Sequence, residues 1–239
     1  MNKNLSEYLS LYFNDYLVLQ RNLSANTLSS YKYTFKLLFN YMINEKNIKI
    51  KNISFNTITK EVIKDFLNYL ENHRKCSINS RNQRLAAIKS FYNYIGTDSI
   101  TNFNNVQEIL NIRFKKASNK EMDYFTCDEL KKYFNEININ TQKGRRDLVL
   151  LTLMYDSAIR SCELINIKLC DLKLNNSPSV TVMGKGNKER TVPIMNDTKN
   201  LLNKYIHENQ LTSSSYLFSN CKKEKLCIRT VEYIVSKYN

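Results

Sequence analysis

Residues 178–194 read Pro178-Ser179-Val180-Thr181-Val182-Met183-Gly184-Lys185-Gly186-Asn187-Lys188-Glu189-Arg190-Thr191-Val192-Pro193-Ile194. Both prolines of the chain and two of its four glycines lie in this stretch. Val180 and Val182 alternate with polar residues on the way in, and Val192 and Ile194 on the way out, as in half-buried strands. Between them Gly184-Lys185-Gly186-Asn187 accepts the positive φ that a tight hairpin turn needs. The pattern predicts a β-hairpin that presents Lys185, Lys188 and Arg190 to something anionic. Elsewhere breakers are scarce, so the hairpin is set in a mainly α protein.

Outward from the hairpin, helical periodicity dominates. Four amphipathic helices are expected in the first hundred residues. Ser6 starts one with Leu9, Tyr12, Phe13, Tyr16 and Leu17 on its apolar stripe. Ser24 caps a second, with Leu28, Tyr31, Phe35, Leu38 and Met42. Thr59 begins a third, with Val62, Phe66, Leu67 and Leu70. Ser77 or Asn79 opens the fourth, with Leu85, Ile88, Tyr92 and Ile95. Together they form a small bundle. Residues 96–116 show no clear period and end in Arg113-Phe114-Lys115-Lys116, which reads as a linker suited to a phosphate backbone. The expected organisation is a domain over 1–98, a linker over 99–119 and a second domain over 120–239. In the latter, Thr126-Cys127-Asp128-Glu129 is a capping box, and Asp147 to Tyr155 is an apolar core helix.

The 239 residues carry 36 Lys and Arg against 22 Asp and Glu, a net charge of +14. Up to Asp98 there are 14 basic and 7 acidic residues, and 22 and 15 after it. A surplus shared by both halves suits a long polyanion touching both, and nucleic acid is the usual one. A generic basic protein is the competing reading. Six cysteines without C-x-x-C, and only two histidines, give no zinc spacing. Reduced, mostly buried thiols in a cytoplasmic protein are expected, with no metal and no cofactor. No apolar run reaches membrane-spanning length.

In the fourth helix Gln83, Ala86, Lys89, Ser90 and Asn93 fall opposite the apolar stripe. That face is small-chained, amide-bearing and free of acids, as a helix in a major groove requires. Arg81 and Arg84 are placed at its rims, where they would hold phosphates. Thr27, Ser30, Lys32 and Lys36 form a similar face on the second helix. Each face alone also reads as an ordinary solvated surface. After the core helix, Arg160 stands at a turn where a guanidinium is costly without an anion, and Glu163 one turn later would orient it. That pair alone could be structural. With the hairpin 25 residues on, the guanidinium and Lys185 could converge on one phosphate without a metal.

Ala158-Ile159-Arg160-Ser161-Cys162-Glu163-Leu164, then Asp171-Leu172, then Gly184 through Pro193, in this order, resembles the tyrosine recombinase (phage integrase) family of the Xer-like kind. Ser24 through Tyr31 and Arg81 through Ile88 resemble its N-terminal core-binding domain. The resemblance implies a mainly α fold: a SAM-like four-helix DNA clamp followed by a mixed α+β catalytic domain with a small sheet. It implies double-stranded DNA and further recombinase protomers as partners. Arg160 matches the first catalytic arginine, which neutralises a non-bridging phosphate oxygen. Lys185 matches the hairpin lysine, the general acid toward the departing 5′ oxygen, and Glu163 the acid that positions the arginine.

The family then supplies a His-x-x-Arg motif and a nucleophilic tyrosine that forms a 3′-phosphotyrosyl link. Here His207 precedes Glu208-Asn209-Gln210, which is His-x-x-Gln and too early, so it reads as a surface residue. Tyr233 and Tyr238 read as packing residues. Ala158 stands where the family usually has glycine. The expectation is a C-terminally truncated catalytic domain with exposed apolar surface and low stability, which binds DNA without cutting it. A short regulator occupying recombination sites, or a basic RNA-binding or scaffold protein outside the family, are the alternatives.

Overall fold

A computed structural model describes residues 4–96, 103–117, 124–184, 186 and 188–238. Lys185, Asn187 and both expected ends of the linker lie outside the described residues. The chain divides into two compact units, Met1–Glu121 and Met122–Asn239.

In the first unit α1 spans Leu5–Leu11 and continues as a π-helix over Tyr12–Gln20. Its cap is Asn4, not Ser6. The Asn4 side chain accepts from the Glu7 backbone while the Glu7 carboxylate accepts from that of Asn4, which satisfies two orphan N–H groups at once. Ser24 and Thr59 cap α2 (Ala25–Asn44) and α3 (Lys60–Asn72) as expected, and of Ser77 and Asn79 it is Ser77 that caps α4 (Ile78–Ile95). The predicted stripes meet in one core, where Leu38, Met42, Phe66, Leu67, Leu85, Ile88 and Ile95 have no solvent exposure. Phe91 holds it together edge-on, with ring centroids 5.2 Å from Tyr12 and 5.3 Å from Phe35.

The segment expected as a linker instead carries a fifth helix, α5 (Phe103–Leu110). Val106, Ile109 and Ile112 are buried in the same core. Their i, i+3, i+6 spacing is a short helical stripe masked by flanking Asn residues.

In the second unit Thr126 and Glu129 form the predicted capping box at the start of α6 (Cys127–Asn135). The core helix is α7 (Gln142–Ser157), which buries Val149, Leu150, Leu151 and Leu153 but leaves Tyr155 exposed. A four-residue helix α8 (Ser161–Leu164) follows. The sheet is antiparallel in the order β1 (Leu172–Lys173), β2 (Ser179–Met183), β3 (Glu189–Pro193). Val180 pairs with Val192 and Val182 with Arg190. The hairpin closes where Gly184 N–H donates to the Lys188 carbonyl at 2.7 Å, and Gly186 takes φ +77°. Helices α9 (Asn196–Glu208) and α10 (Ile228–Lys237) complete the unit.

The expected burial of the thiols is not found. Cys76 is half-buried and the other five cysteines are exposed. They lie on polar helix faces, at helix starts and in loops, where composition gives no guide to burial. No described helix is long and apolar enough to cross a membrane, and the described residues hold no metal-ligating cluster.

Candidate functional site

Helix α7 ends on Ala158, a non-glycine residue in the left-handed region at φ 49°, ψ 31°. This reversal places Arg160 at the start of α8 and directs its side chain outward. The Arg160 side chain is 67% exposed and that of Glu163 only 3%. The buried carboxylate accepts four bonds. Arg160 gives its backbone N–H to Oε2 at 3.0 Å and Nη1 to Oε1 at 3.1 Å. Arg190 gives Nη1 to Oε1 at 2.8 Å and Nη2 to Oε2 at 2.7 Å. A carboxylate has about four acceptor positions, and all are filled. The Arg190 hydrogen bonds, followed by those of Arg160, hold the Glu163 pKa at about 2 against the opposing effect of burial. Two guanidinium groups on one carboxylate leave one positive charge over, on the exposed side of Arg160.

Arg190 therefore departs from its expected place. It was expected as a DNA contact near the hairpin tip, yet its guanidinium is spent on Glu163. The reason is strand parity. Residues 190, 192 and 194 share a face, and Arg190 pairs with Val182, which is buried. That alternation was present in the sequence and points Arg190 inward. Gly184 lets the guanidinium pass, since a Cβ there would stand 3.0 Å from Arg190 Nη1. Lys188 is exposed, as expected. Lys185 falls outside the described residues.

In the first unit the polar faces of α2 and α4 adjoin. Gln83 Nε2 donates to Ser30 Oγ at 3.2 Å. Arg84 Nη1 reaches the Ser30 carbonyl, Ser30 Oγ and Thr34 Oγ1 at 3.2–3.3 Å. Arg84 is thus a half-buried tie between helices. Lys32, Lys36, Gln83 and Asn93 are exposed, and Thr27 is half-buried against the Ser24 cap. Lys89 is half-buried, its amine 4.8 Å from the Phe114 ring centroid, and burial lowers its pKa.

Arg81 is not at a rim. It is 5% exposed and paired loosely with Glu71 at 3.5 Å. Its spacing to Leu85, Ile88 and Tyr92 puts it at the foot of the apolar stripe, a signal the helical wheel carried.

His207 is exposed on α9, as expected. Tyr238 packs, with its hydroxyl donating to Asp147 Oδ2 at 2.9 Å. Tyr233 does not pack and is 65% exposed, because it lies on the face of α10 opposite Val231 and Ile234.

Residues 123–239 match the model of the phage integrase family, and residues 11–96 that of the phage integrase N-terminal SAM-like domain. The chain belongs to the phage integrase family of tyrosine recombinases. It is 29% identical to an integrase/recombinase of Sinorhizobium fredii over 98% of its own length and 71% of that protein. It is 28% identical to tyrosine recombinase XerC of Staphylococcus haemolyticus, over 96% of its own length and 75% of that protein. Among solved structures, lambda integrase crystallised as a dimer bound to a COC′ core site matches with a TM-score of 0.72 at 17% identity. XerH recombinase bound to a palindromic difH substrate matches with a TM-score of 0.66 at 21% identity. These two cover 99% and 91% of this chain, which spans only 63% and 64% of theirs. At such identities the structural likeness establishes the tyrosine recombinase fold alone.

Proposed function

We propose that this chain binds duplex DNA through both units and presents Arg160, with Lys185, to a phosphodiester in site-specific recombination. The observation that carries this reading is the saturated, buried Glu163. It holds one guanidinium in a fixed pose with its other donors toward solvent. Such a group is preorganised for a non-bridging phosphate oxygen and needs no reorganisation when charge develops there. Glu163 and Arg190 are positioning residues, Arg160 stabilises a non-bridging oxygen of the phosphate, and Lys185 would be the proton donor to the 5′ oxygen once a nucleophile, which residues 1–239 do not supply, attacks phosphorus. The α2–α4 face enters a groove, with Gln83 and Asn93 toward base edges and Lys32, Lys36 and Lys89 toward phosphates, while Lys188 meets a phosphate from the hairpin of the second unit. XerH and lambda integrase, crystallised on their DNA sites and the latter as a dimer, support DNA and further protomers as partners.

Residues 1–239 contain no His-x-x-Arg, and the Tyr238 hydroxyl is bound to Asp147. A polypeptide of these residues is therefore expected to bind duplex DNA without becoming linked to it. Anisotropy titrations with a labelled DNA duplex and an RNA duplex of the same sequence, at rising salt, test the binding. DNA should be preferred, and its affinity should drop by ~10³ or more between 50 and 200 mM salt if six or more phosphates are contacted. Equal affinity for the RNA duplex would overturn the proposal. On nicked duplexes any covalent protein–DNA adduct would overturn that expectation, and one lost in Lys185→Ala but kept in Tyr233→Phe and Tyr238→Phe would show a nucleophile other than these two tyrosines.

A further inference from the structure

The first unit holds a cavity of about 430 Å³ lined by Lys60, Lys64, Asn68, Arg81 and Arg113, with no carboxylate in its wall. It is formed by α3, the first turn of α4 and the chain just after α5. It is separate from the α2–α4 polar face, because Arg81 lies on the buried side of α4 while Gln83, Lys89 and Asn93 lie on the other.

Arg81 is the unusual member. Its side chain is 6% exposed, and its Nε has no hydrogen-bond acceptor among the protein's described groups. Nη1 reaches only the neighbouring Asn82 side chain, at 3.2 Å. The carboxylate beside it, Glu71, stands 3.5 Å from Nε but takes the Lys115 ammonium at 2.7 and 2.9 Å. Glu71 thus divides its charge between Lys115, which it bonds, and Arg81, whose Nε it neutralises in part without a hydrogen bond. A buried guanidinium donor without an acceptor is costly, and native proteins seldom leave one so. Four cations facing one cavity add mutual repulsion that Glu71, shared with Lys115, offsets only in part. A phosphate group fits this wall: a planar guanidinium at the base for bidentate bonding, with Lys64 and Arg113 at the mouth.

We propose that this cavity is a phosphate-binding site, distinct from the Arg160 centre. The phosphate group is either a backbone phosphate of bound DNA or a free anion, and both share this chemistry.

Calorimetric titration of the full chain with pyrophosphate at constant ionic strength tests it. Saturable one-to-one binding is expected, weakened at least about tenfold in the Lys64→Ala/Arg113→Ala double variant. Both side chains are exposed, so the fold should survive. Absence of saturable binding, or unchanged affinity in the double variant, overturns the site. Pyrophosphate competing with a duplex, together with weaker duplex binding by the double variant, assigns the phosphate to DNA. Unaltered duplex affinity assigns it to a free anion. Lys32→Ala/Lys36→Ala should weaken duplex binding and leave pyrophosphate binding intact, so this site and the DNA reading fail separately.

Discussion

At residue scale, two positions around Arg160 carry measurable consequences. Ala158 holds a left-handed conformation that costs an L-residue about 1 kcal/mol, and it is exposed, so its methyl group gains little packing in return. Ala158→Gly should raise stability by about 0.5 kcal/mol, the relief of strain exceeding the entropy glycine adds to the unfolded chain. A higher urea midpoint with unchanged slope would show it. Glu163 titrates near 2 when folded and near the ordinary carboxylate value of about 4.3 when unfolded. A depressed folded pKa stabilises above the unfolded value and is lost as pH falls toward the folded one. Glu163 should thus contribute up to ~3 kcal/mol above pH ~4.5, fading between there and pH ~2, less whatever solvent screening of the exposed Arg160 removes. Unfolding of Glu163→Gln should vary less with pH across that window than the parent's. Identical pH profiles would contradict the assignment.

At element scale, the last helix is fastened by polar bonds as much as by its apolar face. Asp147 on α7 is 2% exposed. It takes Arg146 Nη2 at 2.8 Å and Tyr238 Oη at 2.9 Å, with Lys237 Nζ at 3.4 Å. Tyr133 Oη on α6 donates to the Val235 carbonyl at 2.9 Å. Tyr238→Phe removes one bond to a buried charge and should cost about 1.5 kcal/mol, read from the urea midpoint. Tyr233→Phe, on the exposed face of the same helix, should leave the midpoint unchanged. The buried Asp147 stands between Arg146 and the apolar run that begins at Leu148, where a charged residue reads as surface. Nothing local marks which residues some ninety positions away will satisfy a carboxylate. The α2–α4 faces were legible from period alone, whereas their joining through Ser30, Gln83 and Arg84 was not.

At the scale of the whole molecule, the +14 surplus is not all available to a polyanion. Folding commits Arg190 to Glu163, Arg146 to Asp147, and Arg145 to Glu208 at 3.0 Å. Lys32, Lys36, Lys64, Arg113 and Lys188 remain exposed, together with the outer face of Arg160. Counting charges in the sequence treats these groups alike, and a fold separates them by whether a carboxylate lies within reach. Two separate cores support the two units, and each carries its own cationic feature: the α2–α4 face and the Arg81 cavity in the first, the Arg160–Glu163–Arg190 cluster in the second.

Local patterns in the chain settled the helix caps at Ser24, Thr59 and Thr126, the apolar stripes, the hairpin and the Arg160–Glu163 pair. All of these depend on spacings within a few residues, where the backbone period converts sequence directly into geometry. The burial of Arg81, the capture of Arg190 by Glu163, the fifth helix in the apparent linker and the clamp on Asp147 came from packing. They depend on which groups meet across tens of residues. There, desolvation and hydrogen-bond satisfaction choose the partner, and neither is a property of any one segment.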